Sequence, residues 1–131
     1  MPKRLTPFIA VLIWCLSGVV AVAIDVKAGV LRIDYQTLLP ISRFDLRPDD
    51  LGFAGALLAD EDNGTTGSFL GHTYETTHVA TAPDGADAAL DQLLADGVRL
   101  IVVLANKDDL LRLTDKAQDA GALVFLSLIH I

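Results

Sequence analysis

The loop that follows the most apolar stretch of the chain holds the residue types best suited to binding. Residues 99–104 are almost entirely apolar, rich in β-branched side chains and too few for a buried helix, which favours a strand covered on both faces. Ala105, Asn106 and Lys107 come next, and a helix is predicted from Asp108. Because ligands of open α/β sheets bind beyond the carboxyl ends of the strands, this loop is the first candidate binding site.

The same loop matches the NKxD motif with which GTPases hydrogen-bond a guanine base. Asn106, Lys107 and Asp109 are in register with the motif. A GTPase also needs a GxxxxGK[ST] loop to hold phosphates and Mg²⁺, and the glycine-rich stretch 64–71 contains no lysine. A nucleotide site is therefore the weakest interpretation of the loop.

Other reactive residue types in the chain lack the spacing that chemistry requires. Residues 60–64 resemble a calcium loop, but the glycine is misplaced and no bidentate Glu follows at the right offset. His72 and His78 are isolated, and Ser68 is near His72 in sequence only. We therefore expect no catalysis, no metal site and no cofactor.

The elements that must position the loop alternate between strand and helix. Such alternation implies right-handed parallel crossovers and a sheet with helices on both faces. The patterns predict strands over 30–38, 73–80, 99–104 and 122–125, and helices over 51–62, 83–96 and 108–120. The strand 73–80 is polar enough to favour an edge position.

The first predicted helix, 51–62, has candidate caps at both ends. Asp49 or Asp50 can cap its start, and Asn63-Gly64 fits the residue types that end helices. The helical spacing places four residues on one face, which we expect to pack on the sheet: Phe53, Ala54, Leu57 and Leu58. For the last helix, Asp108 is the candidate cap.

The first 23 residues have the features of a secretory signal peptide. Lys3 and Arg4 supply a positive start, residues 8–22 are apolar, and Ala21-Val22-Ala23 fits a small-x-small cleavage site. An uncleaved membrane anchor is the alternative, although the apolar run is short for a span of about 20 residues. We expect a periplasmic product.

Cleavage after Ala23 would leave 108 of the 131 residues and shift the net charge from −7 to −9, since Lys3 and Arg4 are lost. The remaining chain contains no cysteine, because Cys15 is removed, and so no disulfide. The acidic balance argues against nucleic acid and anionic lipid as partners, because both need a basic face. The length allows one small domain.

A set of glycines and leucines spread over residues 30–125 resembles the amino-terminal lobe of type I periplasmic substrate-binding proteins, the Leu/Ile/Val-binding-like receptors of ABC transporters. The set comprises a glycine-containing first helix, an Asn-Gly-x-x-Gly turn, a helix with a Leu pair and an apolar strand after Gly-Val. These are Gly52, Gly55, Asn63, Gly64, Gly67, Gly71, Leu93, Leu94, Gly97 and Val98. Tyr35-Gln36-Thr37 and the turn 63–67 further resemble the subgroup linked to pyrroloquinoline-quinone-dependent alcohol dehydrogenase systems.

The resemblance implies a flavodoxin-like strand order 2-1-3-4 and a two-lobed receptor that closes on a small ligand and docks on a membrane permease. It implies ligand contacts at the ends of the first and third strands, here Thr37, Leu38, Ala105, Asn106 and Lys107. Amino-acid-binding members carry Ser or Thr after the third strand, whereas this chain has Ala-Asn-Lys-Asp, so the ligand stays open. The alternative from another class is a complete small secreted enzyme or sensor domain of flavodoxin-like fold.

The last six residues, 126–131, differ in character from the rest of the chain. LSLIHI is the in-frame translation of a transposon-end adapter that is common in sequencing libraries. We therefore expect adapter read-through after Phe125 and a receptor lobe that is incomplete at its carboxyl end. A natural apolar strand end is the alternative.

Overall fold

A computed structural model describes residues 22–37, 40–43 and 46–128. Within these residues the chain forms four strands and three α-helices, with short 3₁₀ turns at Ser68–Leu70 and Pro83–Gly85. In chain order the elements are β1 (Asp25–Ile33), α1 (Ala54–Gly67), β2 (Thr73–Thr81), α2 (Ala86–Ala95), β3 (Leu100–Ala105), α3 (Lys107–Asp119) and β4 (Leu123–Leu128).

The four strands form one parallel sheet in the order β2-β1-β3-β4. The α/β class, the parallel sheet and the order 2-1-3-4 are therefore confirmed, and they are consistent with a flavodoxin-like fold. The edge position predicted for residues 73–80 is also confirmed, since β2 pairs with β1 alone in the described sheet.

The main hydrophobic core lies between the sheet and the pair α2 and α3. Alternate residues of the two central strands point to this side, with Leu31 and Ile33 from β1 and Ile101 and Val103 from β3. Leu90, Leu93, Leu110 and Leu113 from the helices close the core over them. α1 packs on the opposite face of the sheet, chiefly against β2.

The first strand lies earlier in the chain than predicted, at Asp25–Ile33 instead of 30–38. Its nine residues all pair with β2, and five of them also pair with β3. After Ile33, the Asp34 N–H donates to the Thr81 carbonyl at 2.8 Å and the chain leaves the sheet. Pairing with two neighbours sets these bounds, and the local alternation of apolar residues does not reveal it.

The first helix begins three residues later than predicted, and neither Asp49 nor Asp50 caps it through its side chain. The chain instead enters through tight turns, in which the Leu51 N–H donates to the Pro48 carbonyl and the Phe53 N–H to the Asp50 carbonyl. Gly52 within these turns has a φ of +83°. A side chain there would also collide with Leu104, so glycine fits both constraints.

The predicted end of this helix at Asn63-Gly64 is wrong, because α1 continues to Gly67. The Thr65 hydroxyl donates to the Glu61 carbonyl at 2.9 Å along this turn. The left-handed conformation that ends a helix is found only later, at Gly71, with a φ of +71°. The sequence signal was of the right kind, but it applied to a later glycine.

The helix face predicted to pack on the sheet is also wrong. Leu57 and Leu58 are 55% and 58% exposed. The contacts with β2 come from a stripe of small, polar and aromatic residues, namely Phe53, Asp60 and Gly67. The Asp60 carboxylate accepts from the Thr76 N–H at 3.1 Å and from its hydroxyl at 2.6 Å, so the helix is held by hydrogen bonds where leucines were expected.

The remaining elements depart from prediction by a few residues at their ends. Residues 83–85 form a 3₁₀ turn before α2, and α3 begins at Lys107 with Asn106, not Asp108, as its cap. β4 runs to Leu128 and so includes three residues of the predicted adapter segment, whose origin stays a prediction. Residues 129–131 and the signal peptide residues 1–21 lie outside the described part of the chain.

Candidate binding site at the carboxyl edge of the sheet

The structure brings three of the five predicted binding residues together where β3 ends. Ala105 is the last residue of β3 and is fully buried, Asn106 is half-buried, and Lys107 is exposed at the start of α3. Thr37 lies four residues beyond the end of β1 and is exposed. Leu38 lies outside the described residues.

Tyr35 connects the end of β1 to the loop after β3. Its hydroxyl donates to Asp109 Oδ2 at 2.6 Å and accepts from the Asn106 N–H at 3.0 Å. The residue that follows β1 into contact with the candidate loop is therefore Tyr35, two positions before the predicted Thr37. Burial raises the pKa of Tyr35 from 10.0 to about 12, and its hydrogen bond to Asp109 adds to the rise.

The start of α3 is fixed by a cap that continues this network. The Asn106 side chain accepts from the Asp109 N–H at 3.0 Å, which is the standard geometry of an N-cap. Arg112 donates to Asp109 Oδ1 at 2.7 Å and also pairs with Asp87 on α2. One connected set of polar groups therefore joins β1, the loop after β3, α3 and α2.

A second polar contact holds the segment that leads from β1 to α1. Arg32 donates through Nη1 to the carbonyls of Asp49 and Leu51, each at 2.9 Å. Its guanidinium lies 4.6 Å from the Phe53 ring centroid, and its Nε donates to Asp34 at 2.8 Å. The turn around residues 48–53 is thus anchored to the carboxyl half of β1.

The hydrogen-bonding groups left for a ligand lie at the first turn of α3. Neither the Lys107 N–H nor the Asp108 N–H has an acceptor among the described residues. Together with the Lys107 ammonium they can donate to a ligand oxygen, as helix N-termini do. The Asp108 carboxylate beside them opposes a highly charged anion, so the chemistry suits a polar or singly charged small molecule.

The guanine-binding interpretation meets a geometric obstacle. Asp109 Oδ2 accepts from Tyr35 and Asp109 Oδ1 from Arg112, while Asn106 Oδ1 accepts from the Asp109 N–H. A guanine base would have to displace these partners before Asn106 and Asp109 could hydrogen-bond it.

The described residues contain no group of three or more His, Cys, Asp or Glu side chains placed to hold a metal ion. Two buried side-chain atoms in the same part of the chain have no hydrogen-bond partner, His78 Nε2 and Thr114 Oγ1. His78 packs edge-on against Phe53 with ring centroids 5.3 Å apart, which gives it a structural role. Among the described helices, none has the length and hydropathy needed to cross a bilayer.

Sequence reasoning identified the loop after β3 but missed Tyr35, Arg112 and Asp87. The Asn106-x-x-Asp109 spacing resembles a capping box, and that signal could have placed the cap correctly. Tyr35 and Asp109 are 74 residues apart, so no local pattern could pair them. Comparison of the chain with protein-family models, with curated proteins and with solved structures finds no match.

Proposed function

We propose that the chain is the amino-terminal lobe of an extracytoplasmic solute-binding receptor that delivers a small ligand to an ABC transporter permease. The observation that carries the proposal is the strand order β2-β1-β3-β4, which places β1 and β3 side by side at the centre. Free donors then lie at the carboxyl end of β3, beside the Tyr35 contact that follows β1. A cleft at that position is where open parallel sheets bind ligands.

The ligand contacts proposed from the sequence are kept and extended. Asn106 and Lys107 offer polar groups, whereas Ala105 can contribute only its backbone because its side chain faces the core. Thr37 and Leu38 follow β1 and belong to the proposed second wall of the cleft. Tyr35 positions Asn106, and the receptor carries out no catalysis and needs no cofactor.

The proposal places the protein in the periplasm after removal of residues 1–23. β1 begins at Asp25, so cleavage after Ala23 would leave the central strand whole. The link to a pyrroloquinoline-quinone-dependent alcohol dehydrogenase system and the incomplete carboxyl end after Phe125 are part of the same proposal.

The first experiment is to amplify and sequence the source genome across codon 125. The proposal expects the reading frame to continue past Phe125 into a second α/β lobe, which completes a two-lobed cleft. A genuine LSLIHI followed by a stop codon would leave no second lobe, and the transport assignment would lose its physical basis.

The second experiment measures thermal unfolding of the protein encoded by that reading frame against a panel of small polar solutes. A solute present at 100 times its dissociation constant should stabilise the protein by about 2.7 kcal/mol, without turnover. Lys107→Met should reduce that stabilisation, while Lys27→Met, an exposed lysine near the start of β1, should leave it unchanged. Hydrolysis of a nucleotide in the same samples would favour the enzyme alternative instead.

A further inference from the structure

The two flanks of α3 differ in how their charges are used. On the flank facing α2, Lys116 pairs with Asp91 at 2.7 Å and Arg112 pairs with Asp87. The opposite flank carries Lys107, Leu111 and Asp115 in steps of four residues, which places them on one line along the helix. This second line of residues is called the outer flank of α3 below.

The outer flank borders an open groove of about 320 Å³ between α3 and β4, lined by Lys107, Leu110, Leu111, Thr114, Asp115 and Leu126. Leu111 is 58% exposed there. Lys107 and Asp115 have no ion-pair partner among the described residues. The groove is therefore apolar along its middle, with one unpaired charge of each sign towards its two ends.

The adjoining strand lacks the protection that a sheet edge usually carries. β4 contains no charged residue and no proline, and it pairs with β3 only in the described sheet. Leu123, Phe125 and Leu126 are each more than half exposed. Native edges are normally blunted by charges, by proline or by a covering element, so an apolar edge of this kind is suited to pairing with another strand.

We propose that the outer flank of α3 and the β4 edge form a two-fold interface with a second copy of this chain. Antiparallel pairing of two β4 edges would continue the sheet across the axis, with strands about 4.8 Å apart. Each α3 lies over the β3–β4 side of its own sheet, so the two α3 helices come about two strand spacings apart. That separation is about 10 Å, the upper end of the usual helix-packing distance.

The charge pattern of the outer flank is self-complementary under this symmetry. Leu111 lies four residues from both Lys107 and Asp115, or about 6 Å of helix rise in each direction. A two-fold axis beside Leu111 makes the two helices antiparallel and sets each Lys107 opposite the Asp115 of the second copy. An isologous interface requires this kind of reciprocal match.

The exposed leucines of α1 do not offer the same match. Residues 54–67 contain Asp60, Glu61 and Asp62 but no lysine or arginine, so two copies of that helix would repel each other. Leu126 belongs to the segment predicted to be adapter read-through, and for that reason the test below uses substitutions in α3 only.

The test measures molar mass by sedimentation equilibrium over a range of concentrations. The full chain is expressed, and the amino terminus of the soluble form is read by mass spectrometry. The wild type should be a dimer. Leu111→Lys should weaken dimerisation at least tenfold, while Leu58→Lys should not, since Leu58 on α1 is equally exposed at 58%.

Charge reversal then tests the pairing itself. Lys107→Asp and Asp115→Lys should each weaken the dimer because they place like charges opposite each other, and the double variant should restore it. A wild type that stays monomeric, an open-ended assembly, or a double variant that is weaker than both single variants would overturn the proposal. Because the readout is mass, the result is independent of whether the protein binds a solute.

Discussion

The two faces of the sheet are closed by different means. On the side of α2 and α3, side chains such as Leu31, Ile33 and Leu113 are fully buried and pack against one another. On the side of α1, closure depends on a hydrogen-bonded carboxylate, a close approach at a glycine and an aromatic contact. The same alternating strands β1 and β3 serve both faces.

The difference shows that the helices decide how each face is stabilised. Val30 and Leu104 are buried on the α1 side too, so the central strands offer apolar surface in both directions. α2 and α3 answer with leucines, whereas α1 turns its leucines away. We therefore expect the α2 and α3 face to dominate the free energy of unfolding, and the following predictions test that expectation in order of decreasing effect.

The largest effect is expected for Leu113→Ala. Leu113 is fully buried on α3, so its truncation should leave a cavity and lower the free energy of unfolding by about 2–5 kcal/mol. Leu57→Ala, at a leucine 55% exposed on α1, should cost less than about 0.5 kcal/mol. Urea unfolding of both variants measures the contrast, and equal losses would show that α1 is packed as the sequence pattern suggested.

A smaller loss is expected for Asp60→Ala on the other face. The substitution leaves the Thr76 N–H and hydroxyl without the carboxylate that accepts from both, which should cost about 1–3 kcal/mol. Asp62→Ala is the control, because Asp62 is an exposed residue of the same helix. If the two variants unfold at the same urea concentration, the hydrogen bonds to Thr76 do not hold α1 in place.

The two glycines Gly64 and Gly67 allow a test within one helix. A Cβ at Gly67 would lie 2.6 Å from Tyr74 Cε2, whereas a Cβ at Gly64 would meet nothing within 4 Å. Gly64→Ala should therefore stabilise the protein by up to about 1 kcal/mol through helix propensity. Gly67→Ala should forfeit that gain and destabilise by roughly 1 kcal/mol. Thermal unfolding of the pair gives the sign, and stabilisation by both would refute the close approach.

Tyr35→Phe should have the smallest effect at neutral pH. It removes one hydroxyl with two hydrogen bonds and should cost about 0.5–1.5 kcal/mol. Tyr74→Phe is the control, since no hydrogen bond of the Tyr74 hydroxyl is seen in the described part of the chain.

The pH dependence of the Tyr35 effect has a defined sign. The folded pKa of Tyr35 is about 12 against 10.0, so the unfolded chain loses the proton first as pH rises. The stabilisation is complete below pH 10 and is lost progressively towards pH 12. Urea unfolding between these pH values should show a decline that is shallower in Tyr35→Phe, and an identical decline in both proteins would contradict the assignment.

The parts of the fold that depend on local pattern could be predicted from the sequence. The run at β3 is apolar and β-branched, and α2 and α3 have leucines at helical spacing, so the class, the strand order and the candidate loop follow. Gly97 and Gly121 end the helices before β3 and β4 with positive φ, as the sequence suggests.

The parts that depend on distant partners could not. The bounds of β1 are set by pairing with β2 and β3, and the site contact of Tyr35 is with a residue 74 positions away. The buried stripe of α1 consists of residues that a hydrophobicity pattern ignores, Asp60 and Gly67 among them. A leucine-based pattern selects the wrong face wherever a helix approaches the sheet through small residues.

The position of β1 also has a consequence for the order of folding. β1 is the first strand to be synthesised, yet its register with β3 pairs Ala28 with Leu100, so the centre of the sheet closes across about 70 residues. Such non-local pairing folds slowly, because the entropy of a long loop is lost before the contacts form. Until Ala105 has left the ribosome, an apolar strand has only the polar β2 beside it. We therefore expect the nascent chain to depend on chaperone protection for most of its synthesis.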